Sequence, residues 1–182
     1  MQNISDRLRR SRAGAGLAFG LAMIAAAIPA PGSGTRAAAQ GSNPCAVLTA
    51  DDVKPMAVLA TVEAGVAASF APAGYSACRY AWGAGLNRYK LEVSVSEGSR
   101  MFTGASADGI KQSLLATVRP ETADGVIPDV GDAAVFKAES PVYAYATAFV
   151  KGRIVQVHLD GLDARTKKDQ VIALLKTAAS RL

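Results

Sequence analysis

The stretch YKLEVSVS, residues 89–96, decides the fold class of this 182-residue chain. Its side chains alternate strictly, with Leu91, Val93 and Val95 on one side and polar residues on the other. Period-two alternation with one polar side is typical of a half-buried antiparallel strand. The stretch SACRYAW at residues 76–82 alternates in the same way. We therefore expect these two stretches to form a hairpin.

Further strands are predicted where short apolar runs lie between turn residues. These runs occupy residues 60–70, 133–138, 142–150 and 153–159. The pair Lys151-Gly152 separates the last two runs and predicts a tight hairpin turn.

Three helices are predicted from end signals and apolar spacing. The first covers residues 49–58, where Thr49 caps the first turn, Asp52 reaches back to it, and Pro55 shortens or kinks the helix. The second covers residues 105–118 and the third covers residues 163–182, with Asp163 as its cap. Each of the last two carries one apolar stripe. The stripes comprise Ile110, Leu114, Leu115 and Val118 in the second helix and Val171, Leu174, Leu175 and Ala178 in the third.

This order of elements, α-β-β-β-α-β-β-β-α, predicts an α+β domain. We expect an antiparallel sheet with the helices packed on one face. Gly74 and Gly131 each open a strand, and each half of the domain closes with a helix. The two halves therefore suggest a weak internal duplication.

The N-terminal segment has the pattern of a secretory signal. A basic start is followed by an uncharged stretch at residues 13–30 and by the small residues Ala37-Ala38-Ala39. We expect residues 1–39 to be a signal peptide and residues 40–182 to be a single domain in the periplasm or outside the cell. Cleavage after Ala39 is favoured over cleavage after Ala30, because the latter would place a proline directly after the cut. A retained leader would instead tether the domain to the membrane.

The net charge of +5 belongs mostly to this leader. Five of the 20 basic residues and one of the 15 acidic residues precede residue 40, which leaves 15 and 14. A nucleic-acid partner normally requires a basic stripe on the folded part. We therefore expect no nucleic-acid partner, and no stable membrane anchor after cleavage.

The domain contains two cysteines, Cys45 and Cys78. An even count in an oxidising compartment predicts a disulfide. The alternative is a reactive thiol, but there is no Cys-x-x-Cys spacing and no neighbouring histidine to support it.

Residues with catalytic or metal-binding chemistry are few. His158 is the single histidine, and the alternation places it on the strand side opposite Val157 and Leu159. One histidine and two paired cysteines do not make a zinc site. The run at residues 160–163, DGLD, resembles half of a calcium loop, but no further ligands follow it. We expect no metal, no cofactor and no catalytic residue.

Aromatic residues give the one binding hypothesis. Tyr80 and Trp82 lie near one hairpin, and Tyr143 and Tyr145 alternate on a later strand. Such rings either pack in the core as cross-strand pairs or form a patch that grips a partner or an apolar ligand.

Three short motifs carry a resemblance to a known group of proteins. They are NPCAVLTADDV at residues 43–53, Cys78-Arg79-Tyr80, and GDAA at residues 131–134. In this order they resemble small exported bacterial proteins and lipoproteins of unknown function. The resemblance implies a disulfide and an α+β fold, but no activity, so no catalytic residue can be carried over. The chain departs from the group at Pro55 and has no lipid-attachment motif, since Cys45 follows Ser-Asn-Pro.

These observations predict an exported, non-enzymatic envelope protein that binds a protein partner or a small ligand. Two alternatives remain, a small hydrolase built on carboxylates and a membrane-tethered accessory subunit.

Overall fold

Seven antiparallel strands form one sheet in the computed structural model, which describes residues 43–70 and 74–182. The strands in chain order are β1 (Val66–Phe70), β2 (Tyr75–Trp82), β3 (Tyr89–Glu97), β4 (Gly125–Val126), β5 (Ala133–Ser140), β6 (Tyr143–Val150) and β7 (Arg153–Asp160). They lie side by side in the order β1-β2-β3-β7-β6-β5-β4. The predicted α+β class and antiparallel sheet are confirmed. The predicted signal peptide at residues 1–39 lies outside the described residues.

Two three-stranded meanders meet at the centre of the sheet, and the two-residue strand β4 adds a seventh strand beside β5. One meander is β1-β2-β3, the other is β5-β6-β7, and β3 pairs with β7 between them. The two halves are therefore alike in strand order, whereas an internal duplication stays a prediction. The hairpin turn at Lys151-Gly152 is confirmed, and both residues have the positive φ that a type I′ turn requires, 50° and 78°.

Five helices accompany the sheet within the described residues. They are α1 (Pro44–Val47), α2 (Ala50–Ala57), α3 (Gly98–Met101), α4 (Ala107–Leu115) and α5 (Lys168–Ser180). None of them is both long enough and apolar enough to cross a membrane. Two single 3₁₀ turns lie at Gly85–Asn87 and Ala164–Lys167.

The main core lies between one sheet face and the helices α1, α2 and α5. Strand residues that alternate toward these helices are buried, and α5 buries the four residues predicted for its stripe. The predicted disulfide between Cys45 and Cys78 is present and joins α1 to β2. It is accompanied by a hydrogen bond from the Tyr80 hydroxyl to the carbonyl of Leu48.

The expectation that all helices pack on one face is wrong for α4. Its residues Ile110 and Leu114 pack on the opposite face, against Val135, Phe149 and Ile154. The strands β5, β6 and β7 carry apolar residues on both faces at this end of the sheet, so two helical layers are needed to cover them. We call the sheet face opposite α1, α2 and α5 the second face.

The predicted cap of the last helix is also wrong. Asp163 has a left-handed backbone with φ 62° and makes no side-chain cap hydrogen bond. A helix N-cap normally has an extended backbone. Here the 3₁₀ turn Ala164–Lys167 follows Asp163, and α5 starts only at Lys168.

The start of α2 is built as predicted and is tied to the end of α5. Thr49 and Asp52 form a reciprocal capping box, and Pro55 lies inside the helix. The Asp52 carboxylate also accepts two hydrogen bonds from Arg181, at 2.6 and 2.9 Å. The hydrogen bond from Arg181 lowers the pKa of Asp52 and outweighs burial, which would raise it. The hydrogen bonds from Thr49 act in the same direction, so the pKa lies far below its usual range.

We expect Asp52→Asn to lower the free energy of unfolding by about 1 kcal/mol at neutral pH. The loss is modest because the Arg181 side chain is partly exposed. A lowered pKa stabilises the fold above the unfolded-state pKa of about 4, and this contribution is lost as the pH falls below it. Urea unfolding from pH 7 to pH 3 should therefore show a smaller loss of stability in the variant. Asp51→Asn, the same charge change at an exposed neighbour, is the control. Identical pH profiles for Asp52→Asn and the unmodified protein would contradict this role.

Candidate functional site

A row of polar side chains crosses the second face from strand to strand. Arg79, Glu92, His158, Tyr145 and Lys137 are successive register partners on β2, β3, β7, β6 and β5. Directly opposed residues on one face lie close enough to interact. This row separates the end of the second face at Lys90 and Asp160 from the end that α4 covers.

Glu92 is the anchored carboxylate of the row. It accepts a hydrogen bond from the Tyr75 hydroxyl and another from Arg79 Nε at 2.6 Å. Burial alone would raise its pKa, but the hydrogen bonds from Tyr75 and Arg79 outweigh burial and lower it. Burial, together with the bond to Glu92, raises the pKa of Tyr75 to about 12. Glu92 is thus ionised at neutral pH, which does not suit a general acid, because that role needs a raised pKa.

His158 occupies the strand side that the alternation predicted. Its ring lies 4.2 Å from that of Tyr143, centroid to centroid. Burial lowers the pKa of His158, and this effect outweighs that of Glu92 and other nearby carboxylates, which would raise the pKa. Its Nε2 atom is buried and has no hydrogen-bond partner within the described part of the chain.

Two cavities open on the second face. The first, of about 320 Å³, lies near the β1 edge and is bordered by Glu92 and His158 of the row. Around them it carries charges of both signs, from Glu63, Arg79, Arg88, Lys90 and Asp160. Two ion pairs use part of this charge, Arg79 with Glu92 and Arg88 with Glu63. We call it the edge cavity.

The second cavity, of about 230 Å³, lies beneath α3 and α4, and we call it the α4 cavity. Its apolar part includes Met101, Phe102, Leu114 and Ile154. Its polar part contains Lys137 of β5 and a group of hydroxyl and amide side chains from β3, β6 and β7. These are Ser94, Ser96, Thr147 and Gln156.

The polar part of the α4 cavity contains the buried polar residues of the described chain. Ser94, Ser96 and Thr147 are 8%, 5% and 6% exposed, and all three line this cavity. Gln156 Nε2 donates to Thr147 Oγ1 at 3.0 Å. The Ser96 hydroxyl lies 2.7 Å from the sulfur of Met101. Burial of a polar group destabilises the fold unless the group is hydrogen-bonded. The concentration of buried hydroxyls around one cavity therefore makes the α4 cavity the candidate binding site.

Two tyrosines border the α4 cavity with their hydroxyls turned to carboxylates. Tyr75 donates to Glu92, and Tyr145 donates to Glu139 at 3.0 Å. Burial, together with the bond to Glu139, raises the pKa of Tyr145 to about 12. Both phenols are therefore protonated at neutral pH, and their carboxylate partners, Glu92 and Glu139, do not border the cavity.

The four aromatic residues proposed from the sequence do not form one surface. Tyr80 and Trp82 are 3% and 2% exposed and belong to the main core, because their strand positions alternate toward α1, α2 and α5. Tyr143 and Tyr145 lie on the second face, with their rings 6.0 Å apart. An exposed patch is therefore wrong for the first pair, although Tyr80 also borders the edge cavity. A binding role for Tyr143 and Tyr145 stays a prediction.

The sequence reasoning missed the hydroxyl residues of the α4 cavity. It placed Ser94 and Ser96 on the polar side of β3, which is correct, but treated that side as solvated. A signal was present, because Lys90 and Glu92 on the same side are charged, whereas the residues further along are small and uncharged. A change from charged to hydroxyl side chains along one strand face indicates that the face becomes covered.

Among the described residues, no group of three or more His, Cys, Asp or Glu side chains could hold a metal ion. The comparisons with known proteins give no relative, since no family model, no curated protein and no solved structure matches this chain.

Proposed function

We propose that the protein is an exported, non-enzymatic module of the periplasm or extracellular space that binds a small ligand in the α4 cavity. One observation carries the proposal: the buried hydroxyl residues Ser94, Ser96 and Thr147 all border the same open volume. The disulfide supports the compartment, since such bonds persist in oxidising environments.

A purely structural role explains these hydroxyls poorly. Val135, Phe149 and Ile154 already make this end of the second face apolar. Apolar side chains at the hydroxyl positions would extend that core at little or no cost in stability. A mostly apolar cavity with a few placed polar groups is instead the usual composition of a small-molecule site.

The alternatives have less support in the described residues. A carboxylate-based hydrolase needs an acid with a raised pKa, whereas Glu92 has a lowered pKa and an arginine partner. A tethered subunit depends on residues 1–39, which lie outside the described part of the chain.

The test is a small-molecule screen by thermal unfolding, followed by a variant that fills the cavity. Thr147→Leu adds volume and removes the hydroxyl, so compounds that raise the unfolding temperature of the protein should lose that effect. Thr177→Leu on α5, at the outer helical layer, is the matched control and should keep it.

The folded state of each variant is checked by its unfolding transition without ligand. Compounds that stabilise the Thr147→Leu variant as well as they stabilise the unmodified protein would contradict the proposal. So would a diverse screen without any stabilising compound.

A further inference from the structure

We infer that the α4 cavity takes a small monocarboxylate, with its carboxylate toward Lys137 and its apolar end beneath α3 and α4. The inference rests on the proposed function and names the chemical class of its ligand.

The charge of the cavity lining points to an anion. Lys137 is the one charged side chain among the described residues that border the cavity, and there is no carboxylate among them. The edge cavity on the same face differs, because it carries acids and bases together. A lone cation in a partly closed cavity favours a ligand of opposite charge.

The neighbouring carboxylates do not neutralise Lys137. Glu139 accepts the hydrogen bond of Tyr145, and Glu92 is bound by Tyr75 and Arg79. No ion pair joins Lys137 to any acid of the described chain. Its Nζ atom lies 6.0 Å from the centroid of the Tyr145 ring, so the cation is held at the border of the cavity.

The polar wall offers hydrogen-bond donors. Thr147 Oγ1 already accepts from Gln156, which leaves the Thr147 hydroxyl hydrogen free to donate. Ser94 is a second buried hydroxyl of the same cavity, two strands away on β3, where it also hydrogen-bonds with the Tyr75 phenol. A carboxylate only accepts hydrogen bonds, and hydroxyl donors next to a cation therefore match it better than they match an amine.

The rest of the cavity sets the size of the ligand. The apolar lining comes from two sides: Met101, Phe102 and Leu114 belong to the segments above the sheet, whereas Val135 and Ile154 lie beside Thr147 and Ser96 on the sheet itself. The volume of about 230 Å³ equals the space of about eight water molecules at ~30 Å³ each. A short aliphatic or single-ring acid such as benzoate fits this space.

The experiment is calorimetric titration of the protein with three probes of nearly equal shape, which are benzoate, benzamide and benzylamine. We expect benzoate to bind at least tenfold more tightly than benzamide, and benzylamine not to bind. Lys137→Met keeps the length of the side chain and removes its charge. It should weaken benzoate binding by about tenfold to a hundredfold, the usual effect of losing a charge-assisted hydrogen bond, and leave benzamide unchanged.

Lys111→Met, at an exposed position on α4, is the charge-matched control and should bind benzoate as the unmodified protein does. Thr147→Val, which removes one donor at constant volume, should weaken benzoate by several-fold. Equal binding of benzoate by Lys137→Met and the unmodified protein would overturn the inference.

The outcomes separate the inference from the function on which it rests. Binding of benzamide or benzylamine that equals that of benzoate and is lost in Thr147→Leu would overturn the ligand class and leave the site standing. If Thr147→Leu changes the binding of none of the probes, the α4 cavity is not the binding site, and the proposed function itself is overturned.

Discussion

Replacing Cys45 and Cys78 together by alanine is expected to lower the free energy of unfolding by about 3 to 4 kcal/mol. The bond closes a separation of 33 residues, and the loop-entropy model gives this value for a loop of that length. The bond also fixes α1 on β2, where the Tyr80 hydroxyl reaches the carbonyl of Leu48. Urea unfolding of the double variant and the unmodified protein under identical conditions measures the difference.

Chemical reduction provides the control. A reducing agent should destabilise the unmodified protein by a similar amount and leave the double variant unchanged. A difference below about 1 kcal/mol would show that the bond contributes little to this fold, well outside the usual range for such loops.

Trp82→Ala is expected to lower the free energy of unfolding by about 3 to 5 kcal/mol. The ring is 2% exposed and stacks on Tyr89 with the centroids 5.4 Å apart. Its removal leaves a large cavity in the main core. Trp82→Phe should cost less, because a smaller ring still fills part of that space.

Tyr143→Ala is the contrasting variant on the second face. Tyr143 is only partly buried there, and we expect a loss of about 1 kcal/mol. The two measurements together test whether Trp82 packs in the core and Tyr143 does not. A Trp82→Ala variant of unchanged stability would contradict the core position of that ring.

Local pattern was sufficient to predict most of the sheet. Residues 89–96 alternate so strictly that β3 was recognised within one residue of its end, and Lys151-Gly152 identified the β6-β7 hairpin. Thr49 and Asp52 were sufficient for the start of α2. In each case the signal and the structure it specifies lie within a few residues of each other.

Apart from the disulfide, which the even cysteine count predicted, features that depend on contacts between distant segments were not predicted. The position of α4 on the second face follows from apolar residues on β5, β6 and β7, whose relation to α4 is set only by the strand order. The short strand β4 exists because it pairs with β5, not because its own two residues favour extension. Asp163 has the composition of a cap, but the turn Ala164–Lys167 displaces the helix start.

The candidate site was hidden for the same reason. Ser94 and Ser96 precede Thr147 by about fifty residues in sequence, and they border one cavity with it only because β3, β7 and β6 are neighbours. Thr147 on β6 resembles an ordinary solvated position, and the change from charged to hydroxyl residues along β3 is the one local signal. The burial of these three residues depends on α3 and α4, which cross this half of the second face.

The most direct test of ligand binding in the α4 cavity is the location of the bound compound. Nuclear Overhauser contacts between methyl groups of the protein and the most stabilising compound of the screen would measure it. We expect contacts to the methyl groups of Leu114, Thr147 and Ile154 in the α4 cavity. Contacts confined to Val171 and Leu175 of the main core, or to the exposed Leu59, would contradict this expectation.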